Sequence, residues 1–254
     1  MDSMCDLRIS TMTAISSINV DIDLTNLYQS FTPTDVITFL QYGNHPEKGI
    51  NQKQPRKARK PKPKKSFYNQ ITMHVDCEKN VNVKLFNNGR IQMTGLKYET
   101  HGKKVVETVL RELQALDAKS SHRCLISTDW FISPTDIACI NSDFSVGFPI
   151  KRDMLHREIV NHGFYSSYEP CIYPGVNIKY YYNEDCAGGI CQCNSPCTGK
   201  GCGKGDGNCK KVTIAVFKSG KAIITGARSQ TQLTTAYDFI SKFIQQRFQT
   251  IKLN

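Results

Sequence analysis

The stretch FNNGRIQMTG, residues 86–95, returns in altered form as FKSGKAIITG, residues 217–226. Phe, Gly, Thr and Gly stand at the same places in both stretches, and Arg90 is matched by Lys221. Apolar and polar residues alternate in each copy, as is typical of a half-buried strand. Gly89 and Gly220 mark a kink or bulge. The chain therefore contains the same bent strand as an internal repeat.

The repeat extends in both directions. TAISSIN (13–19) precedes the first copy and TDIACIN (135–141) precedes the second, and a long amphipathic helix is predicted after each. Ser229 and Gln232 form a capping-box signature at the start of the second long helix. The apolar stripes of the two helices comprise Val105, Val106, Val109, Leu110, Leu113 and Leu116 in the first, and Leu233, Ala236, Tyr237, Ile240, Phe243 and Ile244 in the second. Each half thus reads strand, helix, strands, long helix, which indicates duplication.

The period of two divides each predicted strand pair into two faces. The apolar face comprises Val81, Val83, Leu85, Ile91 and Met93 in the first half, and Val212, Ile214, Val216, Ala222 and Ile224 in the second. The other face mixes polar groups and cations with one Phe per half, Phe86 and Phe217. These patterns predict an antiparallel sheet with helices on one side and a functional side left open.

Composition limits the class of protein. The 254 residues are 39% hydrophobic, enough for a core, and no stretch approaches the roughly 18 apolar residues of a membrane span. The first residues lack the pattern of a secretion signal, so the eleven cysteines are interpreted as reduced thiols or metal ligands. Nine of the basic residues lie within 48–65, so the net charge of +11 falls to +2 without that segment. The Lys/Pro-rich segment is either a solvated linker or a nucleic-acid-binding arm that doubles as a nuclear localisation signal.

The sequence FYSSYEPCIYPGVNIKYYY (164–182), the paired strands above and GFPIKRDML (147–155) resemble the TATA-box-binding protein family. The resemblance implies an α+β fold, a pseudo-two-fold saddle of two strand-helix-strands-helix repeats whose curved antiparallel sheet carries helices on its convex side. The repeats would be residues 1–118, with the basic insertion at 44–66, and 119–254, with a Cys/Gly-rich insertion at 183–211. The divergence suggests a large DNA virus or a deep eukaryotic lineage.

The resemblance also implies a site. In the family, aromatic wedges enter base steps of the minor groove and kink the duplex. The wedges here would be Phe86 and Tyr68, with Phe67 as a rival for the latter, and Phe217 and Tyr173. The implied minor-groove contacts are Thr13, Ile15, Ser17, Thr94, Thr135, Ile137, Cys139, Ile223 and Thr225. The implied phosphate contacts are Arg90, Lys221, Lys179 and His74.

Thr13 and Thr135 stand where the resemblance places one central Asn per half. A Thr hydroxyl still donates to base acceptors but makes fewer bonds than an amide. The resemblance therefore implies a preference for deformable A·T-rich DNA, with a strict TATA box in doubt.

The second insertion carries six cysteines: Cys186, Cys191, Cys193, Cys197, Cys202 and Cys209. Four of them are enough for a tetrahedral zinc site, although the spacing gives no clean pair of C-x-x-C knuckles. A flexible thiol-bearing loop and a redox role remain the alternatives. Zinc is the single cofactor that the sequence suggests.

The leading functional interpretation is a non-enzymatic promoter-binding initiation factor that bends A·T-rich DNA. An enzyme is disfavoured because no catalytic motif is found. The other alternative is a protein-interaction adaptor that kept the fold but lost DNA bending. Glu169 matches a family position near the site of the factor that bridges to RNA polymerase, whereas Cys171 replaces an acidic residue. With the cysteine insertion beside Glu169, a dedicated bridging partner is expected, in a nucleus or a cytoplasmic viral factory.

Overall fold

The computed structural model describes residues 6–50, 67–186, 188–197 and 207–253. The chain divides into two compact units, one of residues 12–137 and one in which residues up to Thr11 join those from Ala138 onward. The sequence-based boundary at residue 118 differs, because the segment that follows the first long helix stays with the first unit. Asp117 holds that segment: its buried carboxylate accepts hydrogen bonds from the backbone N–H groups of Cys124 and Leu125, at 2.7 and 3.0 Å.

The first unit contains six strands and two helices within its described residues. The elements are β1 (Arg8–Ser17, of which Met12 onward belongs to this unit), α1 (Leu24–Ser30), β2 (Ile37–Tyr42), β3 (Lys48–Gly49), β4 (Gln70–Asp76), β5 (Asn80–Phe86), β6 (Arg90–Leu96) and α2 (His101–Asp117). The strands pair antiparallel in the order β3-β2-β4-β5-β6-β1.

The second unit repeats this plan. Its elements are β7 (Asp136–Ser145, of which Ala138 onward belongs to this unit), α3 (Arg152–Asn161), β8 (Tyr165–Ser167), β9 (Val176–Tyr182), β10 (Lys210–Val216), β11 (Lys221–Ala227), α4 (Gln230–Gln246) and α5 (Phe248–Ile251). Its strands also pair antiparallel, in the order β7-β11-β10-β9-β8.

The predicted core is confirmed in both units. All ten residues assigned to the apolar strand faces have no exposed surface. Of the two helical stripes, all but Leu116 and Tyr237 are buried. Helix α2 packs on β6, and α4 packs on β9, β10 and β11. An antiparallel sheet with helices on one face is therefore the architecture of each unit.

Local signals explain where the elements begin and turn. The hydroxyl of Ser229 accepts from the backbone N–H of Gln232 at 3.2 Å, so the predicted Ser229 cap forms. The Gln232 side chain reaches back to the N–H of Arg228, at 2.8 Å, one residue before the cap. Gly89 and Gly220 have φ of +73° and +79° and lie in the tight turns that join β5 to β6 and β10 to β11. They close hairpins, where the sequence had suggested a kink within a strand.

The described residues set limits on the two insertions. Most of the basic insertion, residues 51–66, lies outside them, as do Cys202 and the surrounding residues 198–206. Lys48 is described, and its ammonium donates to the backbone carbonyls of Tyr28, Gln29 and Phe31 at 2.5, 3.2 and 2.8 Å at the end of α1. Lys48 is thus part of the fold and does not belong to the basic arm. In the described part of the chain, no helix is long and apolar enough to cross a membrane.

Candidate nucleic-acid interface

The sheet face opposite the helices carries rows of polar side chains in the first unit. Thr13 pairs with Thr94, which pairs with Asn82 on β5, and the two Thr hydroxyls lie 3.4 Å apart. Ile15 pairs with Gln92, and Ser17 with Arg90. Because residues paired across antiparallel strands project to the same side, these residues share one face. Each of them is at least partly exposed.

The second unit carries a related row. Thr225 pairs with Thr213, which pairs with Lys179 on β9. Ser145 pairs with Lys221 on β11, as Ser17 pairs with Arg90 on β6. The predicted match of Thr94 with Thr225 and of Arg90 with Lys221 is therefore reproduced in the strand register of each unit.

The register corrects one alignment. Ser17 and Ser145 hold the same place, 128 positions apart, so the counterpart of Thr13 is Asn141 and that of Ile15 is Asp143. The sequence-based alignment, which equated Thr13 with Thr135, was displaced by six residues. The Ile-Asn dipeptide occurs at both 18–19 and 140–141 and led to the wrong match.

Backbone conformation supports the corrected alignment independently. Asn19 and Gly147, 128 positions apart, have φ of +51° and +82°, in the left-handed region that Asn and Gly tolerate. Each of them follows a strand and directly precedes a residue whose backbone carbonyl lies close to a turn glycine. In the first unit the carbonyl of Val20 lies close to Gly89, and in the second that of Phe148 lies close to Gly220. Aligning Asn19 with Gly147, two residue types that tolerate the left-handed conformation, would have given the correct register from the sequence.

The correction removes Thr135 and Ile137 from the predicted minor-groove contacts. The Thr135 side chain points at Gly102 at the start of α2, and its hydroxyl is buried without a hydrogen-bond partner. Ile137 is only 9% exposed. Cys139 is partly exposed and lies two residues before Asn141, so it stays on the open face. In the second unit the face therefore comprises Cys139, Asn141, Asp143, Ser145, Ile223 and Thr225.

The two predicted wedges of the second unit lie together. The rings of Tyr173 and Phe217 have centroids 5.9 Å apart at an interplanar angle of 61°. Gly175 makes room for them, since a Cβ there would lie 3.0 Å from Tyr173 and 3.1 Å from Phe217. Tyr173 is 37% exposed, and Phe217 is partly exposed just beyond the end of β10. The pair forms an aromatic projection at this end of the unit.

The first unit arranges its wedges differently. Phe86 ends β5 as Phe217 follows β10, but Tyr68 packs edge-on against Tyr42, with centroids 5.8 Å apart, and over Gly43. Tyr68 and its neighbour Phe67 are 55% and 59% exposed. Both remain accessible, and the structure leaves the choice between them open.

The cations predicted to contact phosphates differ in accessibility. Arg90 and Lys221 are exposed. Lys179 donates to the Thr213 hydroxyl at 3.0 Å, and burial and then the nearby charge of Lys211 lower its pKa. His74 occupies the place in the first unit that Lys179 holds in the second, yet it is 3% exposed, with its ring 4.6 Å from that of Phe39. The prediction of a phosphate contact at His74 was wrong because the imidazole is buried in the sheet.

Sequence reasoning missed an acidic group on the open face. Asp143 accepts a hydrogen bond from the Ser10 hydroxyl at 2.5 Å. It also forms an ion pair with Arg8, in which Nη2 lies 2.8 Å from Oδ2. These hydrogen bonds, that of Ser10 first, hold the pKa of Asp143 below its usual range. No sequence motif indicates the pair, since its members are 135 positions apart.

Four of the six cysteines in the second insertion come together. The sulfur atoms of Cys191, Cys193, Cys197 and Cys209 all lie within 4.8 Å of one another. Cys186 is outside this cluster, and Cys202 lies outside the described residues. We call these four residues the thiol cluster.

The thiol cluster is not beside Glu169, contrary to the sequence-based expectation. The insertion joins the end of β9 to the start of β10, whereas Glu169 and Tyr173 lie in the turn before β9. Seven residues of strand, about 23 Å at 3.3 Å per residue, separate the two ends.

Comparisons with known proteins agree with this fold. Residues 136–247 match the family described as "Transcription factor TFIID (or TATA-binding protein, TBP)". The chain is 29% identical over 266 residues to "TATA-box-binding protein-like" of Acanthamoeba polyphaga mimivirus, covering 98% of this chain and 67% of that protein. It is 26% identical over 156 residues to "TATA-box-binding protein 1" of Triticum aestivum, covering 61% of this chain and 50% of the wheat protein.

A solved structure shares the fold over nearly the whole chain. Methanococcus jannaschii TBP superposes with a TM-score of 0.54 at 18% sequence identity, covering 95% of this chain and 99% of that one. The fold is thus that of the TATA-binding proteins. Residues 136–247 match the model of the TATA-binding protein family, and the chain is similar along nearly its whole length to the mimivirus protein.

Proposed function

We propose that this chain is a transcription initiation factor that binds A·T-rich duplex DNA through the minor groove and bends it. One observation carries the proposal: the same open sheet face occurs in both units, with Phe86 and Phe217 at matched positions and Thr94 and Thr225 in matched register. A duplex site also offers two similar halves. Each unit would grip one of them.

The chemistry of the face suits the minor groove of A·T pairs. That groove shows only acceptors at A·T pairs, and a G·C pair adds the amino group of guanine. Hydroxyl groups of Thr13, Thr94, Thr213 and Thr225 supply donors, and Asn141 supplies an amide. Arg90 and Lys221 are exposed at the strand ends, where cations fix register on phosphates.

Base analogues test which groove is contacted. Replacing A·T pairs by inosine·cytosine pairs keeps the minor-groove acceptors and changes the major groove, whereas G·C pairs add the guanine amino group. We expect equal affinity for the A·T and inosine·cytosine duplexes and at least about 10-fold weaker binding to G·C, since discrimination of over 1.4 kcal/mol is tenfold. Major-groove recognition would instead be indicated by loss of binding to the inosine·cytosine duplex.

A matched pair of aromatic variants tests the wedges. Phe86→Ala and Phe217→Ala should weaken binding to A·T-rich DNA. Phe131→Ala is the control, because Phe131 is 64% exposed but lies in the segment before β7, outside the strands. Equal loss in all three variants would count against the wedge assignment.

The second candidate function is a protein-interaction adaptor, favoured by the acidic Asp143 on the open face. An adaptor would bind both duplexes weakly and equally, through the basic segment, and strong salt dependence would be its signature. The base-analogue experiment separates the two functions, because a non-specific cationic arm cannot produce a preference for A·T pairs.

The bridging partner of an initiation factor would meet the turn that contains Glu169. Its backbone carbonyl accepts from the N–H groups of Ile172 and Tyr173, both at 2.9 Å, and Ile172 is 80% exposed. Cys171 is exposed beside it. An apolar tip beside a single acid fits a partner with a small apolar pocket and a nearby cation, in the nucleus or in a cytoplasmic viral factory.

A further inference from the structure

We propose that Cys191, Cys193, Cys197 and Cys209 bind one Zn²⁺ as a tetrathiolate site, and that Cys186 and Cys202 are not ligands. The site is independent of the DNA-binding face. It lies at the end of β9 and β10 that is remote from Tyr173 and Phe217.

The distances fit a tetrahedron. A zinc–sulfur bond of about 2.3 Å requires the four sulfur atoms to lie about 3.8 Å apart. The sulfur atoms of the thiol cluster lie within 4.8 Å of one another, and those of Cys193 and Cys209 are 3.9 Å apart. Only a small contraction converts the thiol cluster into a closed coordination shell.

The separation does not fit a disulfide. A disulfide requires about 2.05 Å between its sulfur atoms, roughly half of the observed Cys193–Cys209 distance. Four thiols near one another, instead of two separate pairs, also suit one central ion better than two bonds. Thiolate ligands favour zinc, copper(I) or iron over magnesium and calcium, and a closed set of four with no open position is typical of structural zinc.

The surrounding backbone positions the ligands. Cys209 is 3% exposed and directly precedes β10, and its sulfur accepts a hydrogen bond from the N–H of Gln192 at 3.4 Å. Such bonds stabilise a thiolate and orient it toward a metal. Gly207 lies against Cys193, where a Cβ would approach the Cys193 nitrogen to 2.7 Å and its sulfur to 2.9 Å. Glycine is therefore required for the two arms of the loop to meet.

The site would stabilise a long connection. The loop between β9 and β10 runs from Asn183 to Cys209, and its first arm is held to the sheet by a hydrogen bond from the N–H of Tyr181 to the Gly189 carbonyl at 2.9 Å. Joining Cys197 to Cys209 through one ion closes the part of the loop between them. Metal binding would thus stabilise the folded chain, because closing a loop removes conformational freedom from the unfolded chain.

Native mass spectrometry of the full chain, purified with a non-thiol reductant and excess Zn²⁺ and then dialysed, tests the proposal. We expect one zinc per chain in the wild type, in Cys186→Ser and in Cys202→Ser, and at least 10-fold weaker zinc binding in Cys191→Ser, Cys193→Ser and Cys197→Ser. A wild-type chain without zinc, or with disulfides or iron in its place, would overturn the proposal. So would loss of zinc from either control.

Cobalt substitution distinguishes the loss of a ligand from misfolding of the variant. Cobalt(II) in the wild type should give the visible bands of a tetrahedral site and the near-ultraviolet charge transfer of several thiolates. Cys197→Ser, a partly exposed position, should keep the native far-ultraviolet circular dichroism while the charge-transfer intensity falls. An octahedral cobalt spectrum in the wild type would contradict a tetrathiolate site. DNA bending should be unchanged by Cys197→Ser, so this proposal and the proposed function fail separately.

Discussion

Arg8 Nη2 lies 2.8 Å from Oδ2 of Asp143, so the acid of the open face in the second unit carries its own counter-charge. The Arg8 side chain is 76% exposed and that of Asp143 is 34% exposed. Without Arg8, Asp143 would repel a DNA backbone. The pair therefore lets an acid remain on a face proposed to meet phosphates.

The ion pair predicts a shift in titration. The pKa of Asp143 is lowered in the folded chain, so its interactions contribute stability above the unfolded value of about 3.9 and lose it as the pH falls through the folded pKa. Arg8→Ala should raise the pKa of Asp143, measured from its carboxyl carbon by NMR, because the hydrogen bonds from Nε and Nη2 and one positive charge are removed. Ser10→Ala should also raise it, and an unchanged pKa in both variants would contradict the geometry.

The same pair predicts a gain in DNA affinity. Asp143→Asn removes a negative charge from the face and frees Arg8 for a phosphate. Affinity should rise, and the slope of log K against log salt should steepen by about 0.9 for one added phosphate contact. Asp136→Asn is the charge-matched control, because Asp136 is exposed at the start of β7. An equal effect of both changes would mean that net charge alone is responsible.

The corrected alignment predicts opposite roles for Thr135 and Asn141. Thr135→Val removes a buried hydroxyl that has no hydrogen-bond partner and keeps the shape of the side chain, so the free energy of unfolding should rise by about 1 kcal/mol. DNA affinity should not change. Urea denaturation and a binding titration measure the two effects.

Asn141→Ala should instead leave stability nearly unchanged and reduce discrimination between A·T and G·C duplexes. Asn141→Thr, which copies the residue at the matched position Thr13, should retain part of the discrimination. If Thr135→Val altered DNA preference and Asn141→Ala did not, the alignment that equates Thr13 with Thr135 would be correct.

Substitutions at Lys48 and in the basic segment should have separate effects, the first on the stability of the fold and the second on the salt dependence of DNA binding. Lys48→Met removes the ammonium that three backbone carbonyls bind, so the free energy of unfolding should fall by about 1–2 kcal/mol. The salt slope of DNA binding should stay the same. Replacing the eight Lys and Arg residues within 51–66 by Gln should do the reverse. Equal salt slopes in the wild type and in that variant would exclude the segment from DNA binding.

Periodicity predicted the core and the helices because burial on one face leaves a regular trace in sequence. All ten strand positions assigned to the core are fully buried, and the Ser229 cap forms as expected. The family resemblance placed Phe86, Phe217, Thr94 and Thr225 on the open face. Phe86, Thr94 and Thr225 lie within strands, and Phe217 directly follows one.

The remainder depends on contacts that are distant in sequence. Arg8 meets Asp143 across 135 positions, and His74 is buried in the sheet although the family resemblance implied a phosphate contact there. The proximity of Cys191, Cys193, Cys197 and Cys209 follows from how the described part of the loop folds, since their spacing matches no standard zinc motif. A register error of six residues moved Thr135 into the site because an even shift keeps the same face of a strand.

The bend angle of an end-labelled A·T-rich duplex, followed by energy transfer as the protein is added, tests the central claim most directly. The account predicts that the two ends approach with the wild type, that Phe86→Ala and Phe217→Ala each reduce the bend, and that the double variant abolishes it. Saturating binding of the wild type with no change in end-to-end distance would contradict the account.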